Sequence, residues 1–90
     1  MTVSNDTLWK LGNAVEKLAT GGGTAPERAI HALGALTDIK ADEFADNVSG
    51  VLWNYVIGTS KAIRNRTADE DQVNKFNNSI WQLFNSYRPR

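Results

Sequence analysis

The chain of 90 residues lacks cysteine and contains a single histidine, and these two features exclude several classes of enzyme chemistry. Without cysteine there is no disulfide framework, no thiol nucleophile and no thiolate metal site. A Ser or Thr nucleophile needs a base beside it, and one histidine leaves little choice of base. We therefore expect a protein that is not an enzyme and that uses no cofactor.

The chain also lacks an excess of charge and any long hydrophobic run. Ten basic side chains balance ten acidic ones, so no general attraction to nucleic acid or to an anionic membrane is expected. The longest apolar stretch, Val51 to Ile57, is interrupted by Asn54 and is far shorter than the roughly 20 residues of a membrane span. The N-terminal residues contain no basic and apolar signal segment, which predicts a cytoplasmic protein.

Apolar residues do recur at helical spacing, and they recur in four segments. These segments cover about residues 5–20, 25–37, 41–65 and 68–87. Three consecutive glycines separate the first two segments. Thr24 with Glu27 and Thr67 with Glu70 have the spacing of capping boxes, which predicts helix starts just after these threonines.

The predicted fold class is all-α, because no segment alternates apolar and polar residues as a strand does. Short connections favour antiparallel neighbours. Residues 1–90 are therefore expected to form a single helical domain, a small four-helix bundle with a long central third helix. The alternative is a hairpin of the third and fourth helices whose apolar faces close only in a dimer.

The third helix is predicted to face the core with one continuous stripe. Its members are Phe44, Val48, Val51, Leu52, Tyr55, Thr59, Ala62 and Ile63. At about 100° per residue, Trp9, Trp53 and Trp81 each lie more than about 100° from the apolar stripe of their own helix. In one interpretation the third helix is contacted on both sides, and Trp9 and Trp81 close the edges of a monomeric core. In the other, some of the tryptophans anchor protein interfaces, where Trp is enriched.

Two interface sites follow from the second interpretation. Gly50, Trp53 and Ile57 lie on a second side of the third helix that suits an isologous pair, so they are predicted to mediate self-association. The other site places a large aromatic side chain among amides and is predicted to bind a different protein. Its residues are Trp9, Asn74, Asn77, Asn78, Trp81, Asn85 and Arg88.

The turn between the first two helices suggests a second class of function. Gly22, Gly23 and Thr24 precede a helix N-terminus, whose free N–H groups favour anions, and Arg28 could pair with a phosphate. The Lys-Ser/Thr ending of a P-loop is absent, and no strand precedes the turn. The alternative function is therefore a small-molecule or nucleotide-binding helical protein, and the plain structural interpretation is a connection between two helices.

The remaining charged residues fit helix ends and solvent. His31 is expected to face water, and with Glu27 it could supply only half of a metal site, so no metal is predicted. Acidic residues at helix starts and basic residues at helix ends complement the helix dipoles without any ligand.

The sequence therefore predicts a non-catalytic protein-interaction module. The functional classes that fit best are small inhibitors, immunity proteins and antitoxin-like proteins, which act by stoichiometric binding to another protein. A homodimer or higher oligomer is also expected, whereas membrane and nucleic-acid partners are not.

Overall fold

A computed structural model describes residues 3–44 and 46–88. The α-helices in these ranges are α1 (Asn5–Thr20), α2 (Ala25–Ala35), α3 (Asn47–Arg64) and α4 (Glu70–Tyr87), and a single turn of 3₁₀ helix, Ala41–Glu43, precedes α3. Neither described range contains a strand, so the predicted all-α bundle is confirmed. None of the helices in the described ranges combines the length and apolarity needed to cross a bilayer.

Each α-helix begins at a side chain that accepts a hydrogen bond from an N–H group of the first turn. The pairs are Ser4 with Thr7, Thr24 with Glu27, Asp46 with Ser49, and Asp69 with Gln72. These N-caps satisfy amides that have no partner within the helix. The capping box of α4 joins Asp69 and Gln72, so this helix starts two residues later than the predicted start at residue 68.

The third helix starts at Asn47 rather than at about residue 41, which corrects the sequence prediction. Asp46 has an extended backbone (φ −89°, ψ 157°), and its carboxylate accepts a 2.7 Å hydrogen bond from the Ser49 N–H. Phe44 lies outside the helix, yet it is buried in the core. The apolar residues keep their helical spacing from Phe44 into α3, although the helix itself begins only at Asn47. Spacing alone therefore predicts one longer helix.

The helices pack around one hydrophobic core. α1 lies against α2 and α4, and α3 lies against α4. The largest fully buried side chains are Leu11, Trp53, Val56, Ile63, Phe76, Ile80 and Leu83. Burying a Leu, Ile or Phe side chain contributes roughly 1.5–3 kcal/mol, so this set supplies much of the favourable free energy of folding.

α3 is rotated relative to the predicted orientation: Thr59 and Ile63 of the predicted stripe are buried, but the valines of that stripe are not. Trp53 is 2% exposed, whereas Val48 and Val51, which were expected in the core stripe, are 69% and 68% exposed. Trp53 lies off the predicted stripe yet belongs to the core, and the prediction of Val48 and Val51 as core residues is wrong. Because α3 is apolar on two sides, packing decides between them, and burying the indole removes the largest apolar side chain of the helix from water.

One cluster holds α3 in this rotation, and we call Phe44, Asp46, Ser49, Trp53 and Tyr87 the α3 junction. The Phe44 ring packs against Trp53 and Tyr87, with ring centroids 5.1 Å and 5.9 Å apart. The Tyr87 hydroxyl donates to Asp46 Oδ2 (3.0 Å) and lies 2.9 Å from Ser49 Oγ. The end of α4 is thereby tied to the start of α3.

Two pKa values are shifted within the α3 junction. The Ser49 N–H, the Tyr87 hydroxyl and the Ser49 hydroxyl, in that order, lower the pKa of the Asp46 carboxyl. Burial, together with the nearby Asp46 carboxylate, raises the pKa of the Tyr87 phenol. The junction is therefore most stable when Asp46 is ionised and Tyr87 is neutral.

We expect the free energy of unfolding to fall both below about pH 4 and above about pH 10. Folding lowers the pKa of Asp46, so its ionised carboxylate contributes to the free energy of unfolding above about pH 4. This contribution is lost as the pH falls through the pKa that Asp46 has in the folded state. Folding raises the pKa of Tyr87, so its neutral phenol contributes to the free energy of unfolding below about pH 10. This contribution is lost as the pH rises through the pKa that Tyr87 has in the folded state. Urea unfolding across this range measures both effects.

Asp46→Asn and Tyr87→Phe separate the acid effect from the alkaline effect. Asn still caps a helix but does not ionise, so the stability difference between the native protein and Asp46→Asn should shrink in acid. Phe does not ionise either, so the stability difference between the native protein and Tyr87→Phe should shrink at alkaline pH, where the Tyr87 phenol ionises. If both differences stay constant with pH, this description of the junction is wrong.

Candidate protein-interaction surface

A close approach of α1 and α4 creates an aromatic cleft. At Gly12 the two helices come so near that an added Cβ atom would lie 3.3 Å from a ring carbon of Phe84. Glycine therefore lets the Phe84 ring lie over the α1 backbone. Leu8, Trp9 and Asn13 line the same shallow cleft, which has a volume of about 300 Å³. Phe84 is consequently only half-buried.

Two tryptophans neighbour Phe84 on this side of the molecule. Trp9 of α1 lines the cleft and is 68% exposed, and Trp81 of α4 is 37% exposed. Trp81 precedes Phe84 by three residues, and positions three apart on a helix are neighbours on one side. We call Trp9, Asn13, Trp81, Phe84 and Asn85 the aromatic–amide surface.

The chemistry of the aromatic–amide surface suits a protein partner. Large aromatic side chains on a surface are removed from water only when a partner covers them. Trp is also enriched among the interface residues that dominate binding energy. The amides of Asn13 and Asn85 each offer donors and an acceptor, which match the N–H and C=O groups of a peptide backbone. The surface therefore suits an apolar protein segment with an accessible backbone.

Asn77 lies on the same side of α4, four residues before Trp81. Its Oδ1 atom is buried and has no hydrogen-bond partner among the described residues. A buried acceptor without a partner costs roughly 1–3 kcal/mol. Packing within the monomer therefore does not explain why an amide occupies this position.

Several of the residues predicted to bind a partner are exposed on α4 or at its end. They are Asn74, Trp81 and Asn85 on the helix and Arg88 at its C-cap. Trp9 lies on α1, in the cleft that Phe84 of α4 also lines. Asn78 is separate, because it lines a groove with Val51 and Tyr55 on the flank of α4 that faces α3.

The residues predicted to mediate self-association do not form one surface. Trp53 is buried beneath Phe44, so it cannot contact a second copy unless the bundle opens. Gly50 is half-buried, and an added Cβ would lie 3.8 Å from the Phe44 carbonyl oxygen. Of the three, Ile57 alone is exposed. The rotation of α3 thus removes Trp53 from any contact surface of the folded monomer.

The turn predicted as an anion site is filled by side chains of the protein itself. Arg28 donates to the carbonyl oxygens of Leu18 (3.2 Å) and Gly23 (2.6 Å). The Glu27 N–H donates to the Thr24 hydroxyl oxygen, and that hydroxyl donates to the Glu27 carboxylate (3.2 Å). Gly22 is exposed in the same turn. A phosphate would have to displace Arg28 from two carbonyl groups and would meet the negative charge of Glu27.

His31 is exposed on α2, as predicted. Glu27, its expected partner in a shared metal site, is engaged in the cap with Thr24. Residues 3–44 and 46–88 contain no group of three His, Asp or Glu side chains arranged to hold a metal ion.

Gly12, Asn13 and Phe84 are the residues of this site that the predicted partner-binding set does not contain. The helical spacing places Phe84 in the apolar stripe of α4, which predicts an ordinary core residue. Its contact with Gly12 depends on the distance between two helices, which spacing within one helix does not reveal. A glycine in a helix interior lowers helix stability by about 1 kcal/mol relative to Ala. Its presence at position 12 is therefore the one signal in the sequence that another helix approaches closely there.

The chain was compared with protein-family models, with characterised proteins and with solved structures, and none of them matches.

Truncation of two tryptophans should have very different effects on stability. Trp53→Ala is expected to lower the free energy of unfolding by about 3–5 kcal/mol, because it leaves a cavity beside Phe44. Trp9→Ala should change it by less than about 0.5 kcal/mol, because the indole is exposed. Denaturant titration followed by circular dichroism measures both. Equal effects would contradict the assignment of Trp53 to the core and of Trp9 to the surface.

Proposed function

We propose that the protein is a non-catalytic interaction module that acts in the cytoplasm and binds another protein stoichiometrically through the aromatic–amide surface. The observation that carries this proposal is the exposure of Trp9, which lines the cleft with Phe84, and of Trp81, which precedes Phe84 by three residues on α4. The monomer leaves this aromatic area in water, and a partner that covered it would gain the hydrophobic free energy of its burial.

Rigid presentation of the aromatic side chains supports binding by occlusion of a site on the partner. Trp9 and Trp81 stand on two helices that are packed against each other at Gly12 and Phe84. Side chains held on rigid elements lose less conformational entropy when they bind. Small inhibitors, immunity proteins and antitoxin-like proteins act by such stoichiometric occlusion, and we place the protein in this functional class.

Site-specific photo-cross-linking tests the proposal. A photo-reactive benzoylphenylalanine replaces Trp9, Trp81 or, as a matched control, His31, which is exposed on α2. Cross-linking in an extract of the native organism should give one shared product from the first two positions and none from the third. All three positions are exposed, so the bundle should stay folded, which circular dichroism verifies.

The captured protein, once purified, allows a quantitative test. We expect a one-to-one complex that Trp9→Ala and Trp81→Ala each weaken by at least about tenfold, an effect typical of central interface residues. His31→Ala should leave the affinity unchanged. Equal cross-linking from position 31, or a complex that is insensitive to both tryptophan substitutions, would refute the proposal.

A further inference from the structure

α3 has an exposed side without charge. Between Asp46 and Lys61 the chain contains no Asp, Glu, Lys or Arg. The exposed positions of this stretch are Asn47, Val48, Val51, Asn54, Ile57 and Gly58. The solvent side of a helix normally carries charged and polar residues, whereas charge is depleted at the centre of protein interfaces. The composition of this stretch is therefore that of an interface.

The most exposed apolar residues of α3 lie next to the groove between α3 and α4. The aromatic–amide surface lies on the opposite flank of α4, where this helix meets α1. Val48 and Val51 are the most exposed apolar side chains of α3, and Tyr55 continues the patch into the groove with α4. We call Val48, Val51, Tyr55, Gly58 and Ala62 the α3 outer face.

Side-chain size along the α3 outer face points to an antiparallel second copy. The first half carries Val48 and Val51, and the second half carries Ala62 and Gly58, where an added Cβ would meet nothing within 4 Å. In an antiparallel pair with its two-fold axis near Tyr55, the valines of one copy lie opposite the small residues of the other. A parallel pair would set valine against valine and leave a gap at Gly58.

The charges that flank the α3 outer face favour the same orientation. Asp46, the N-cap of α3, precedes the face in the chain, and Lys61 lies at its other end; both are exposed. An antiparallel second copy brings the acidic start of one α3 near the basic end of the other, whereas a parallel copy brings like charges together. Lys75, which lines the groove, is already paired with Asp71 at 3.1 Å.

We propose that the protein forms a homodimer by antiparallel packing of two α3 outer faces. The face is about 21 Å long, at 1.5 Å per residue from Val48 to Ala62, and about 20 Å wide with the adjoining side of α4. It offers roughly 400–500 Å² per copy, less than the roughly 800 Å² of a standard interface. The dimer should therefore be weak and form between micromolar and millimolar concentrations, with both aromatic–amide surfaces free.

The mass in solution tests the existence and the location of this dimer. Analytical ultracentrifugation from micromolar to millimolar concentration should show a rise from the monomer mass to twice that mass. Val51→Glu should weaken the dimer by at least about tenfold, because it places a charge in the centre of the interface. Ile57→Glu is the matched control, since Ile57 is 53% exposed on another side of α3. A monomer at every concentration, or a dimer more sensitive to Ile57→Glu, would overturn the proposal.

The lack of native cysteine allows the orientation to be tested with introduced cysteines. A mixture of Val51→Cys and Gly58→Cys should form disulfides between copies under mild oxidation, because these positions lie opposite each other. Val48→Cys alone should not, because its two copies lie about 21 Å apart along the axis, beyond the reach of a disulfide. Efficient self-linking of Val48→Cys would show a parallel pair and contradict the proposal.

Trp9→Ala distinguishes this proposal from the proposed function. It lies outside the α3 outer face, so the dimer should persist in this variant even though partner binding is weakened. Loss of the dimer on Trp9→Ala would show that the copies meet on the aromatic–amide surface, and the α3 outer face would then be the wrong interface.

Discussion

The contact of Phe44 with Trp53 and Tyr87 fixes the rotation of α3, and the character of the surface depends on that rotation. Phe44 belongs to no helix, but its ring lies 5.1 Å from that of Trp53 and 5.9 Å from that of Tyr87, measured between centroids. Asp46 then starts α3 and accepts a hydrogen bond from the Tyr87 hydroxyl. With Trp53 held beneath Phe44, the side of α3 that carries Val48 and Val51 faces solvent.

α4 separates the two surfaces that carry the functional proposals. On one flank, Phe84 meets Gly12 of α1 beside two exposed tryptophans. On the other flank, Tyr55 and its neighbours on α3 form an uncharged face. Because the flanks are distinct, a second copy and a different protein could bind at the same time. The first surface combines aromatic anchors with amides, and the second combines large and small apolar residues, so each suits a different kind of partner.

The number of helices and the fold class could be predicted because their signals are local. A cap such as Ser4 or Thr24 acts within three residues, and the predicted bounds of the first helix agree with α1 at both ends. The rotation of α3 could not be predicted, since this helix is apolar on two sides and the choice depends on Phe44 from outside it. The Gly12–Phe84 contact was missed for a similar reason, because it depends on how closely two helices approach.

Solvent access to the three tryptophans tests the rotation of α3 most directly. Fluorotryptophan gives one fluorine resonance for each tryptophan, assigned with single Trp→Phe variants, and a soluble paramagnetic agent broadens each resonance according to its exposure. We predict strong broadening for Trp9, weaker broadening for Trp81 and none for Trp53, in the order of their exposed fractions. Broadening of the Trp53 resonance as strong as that of Trp9 would contradict the packing of Trp53 beneath Phe44, and with it the assignment of both surfaces.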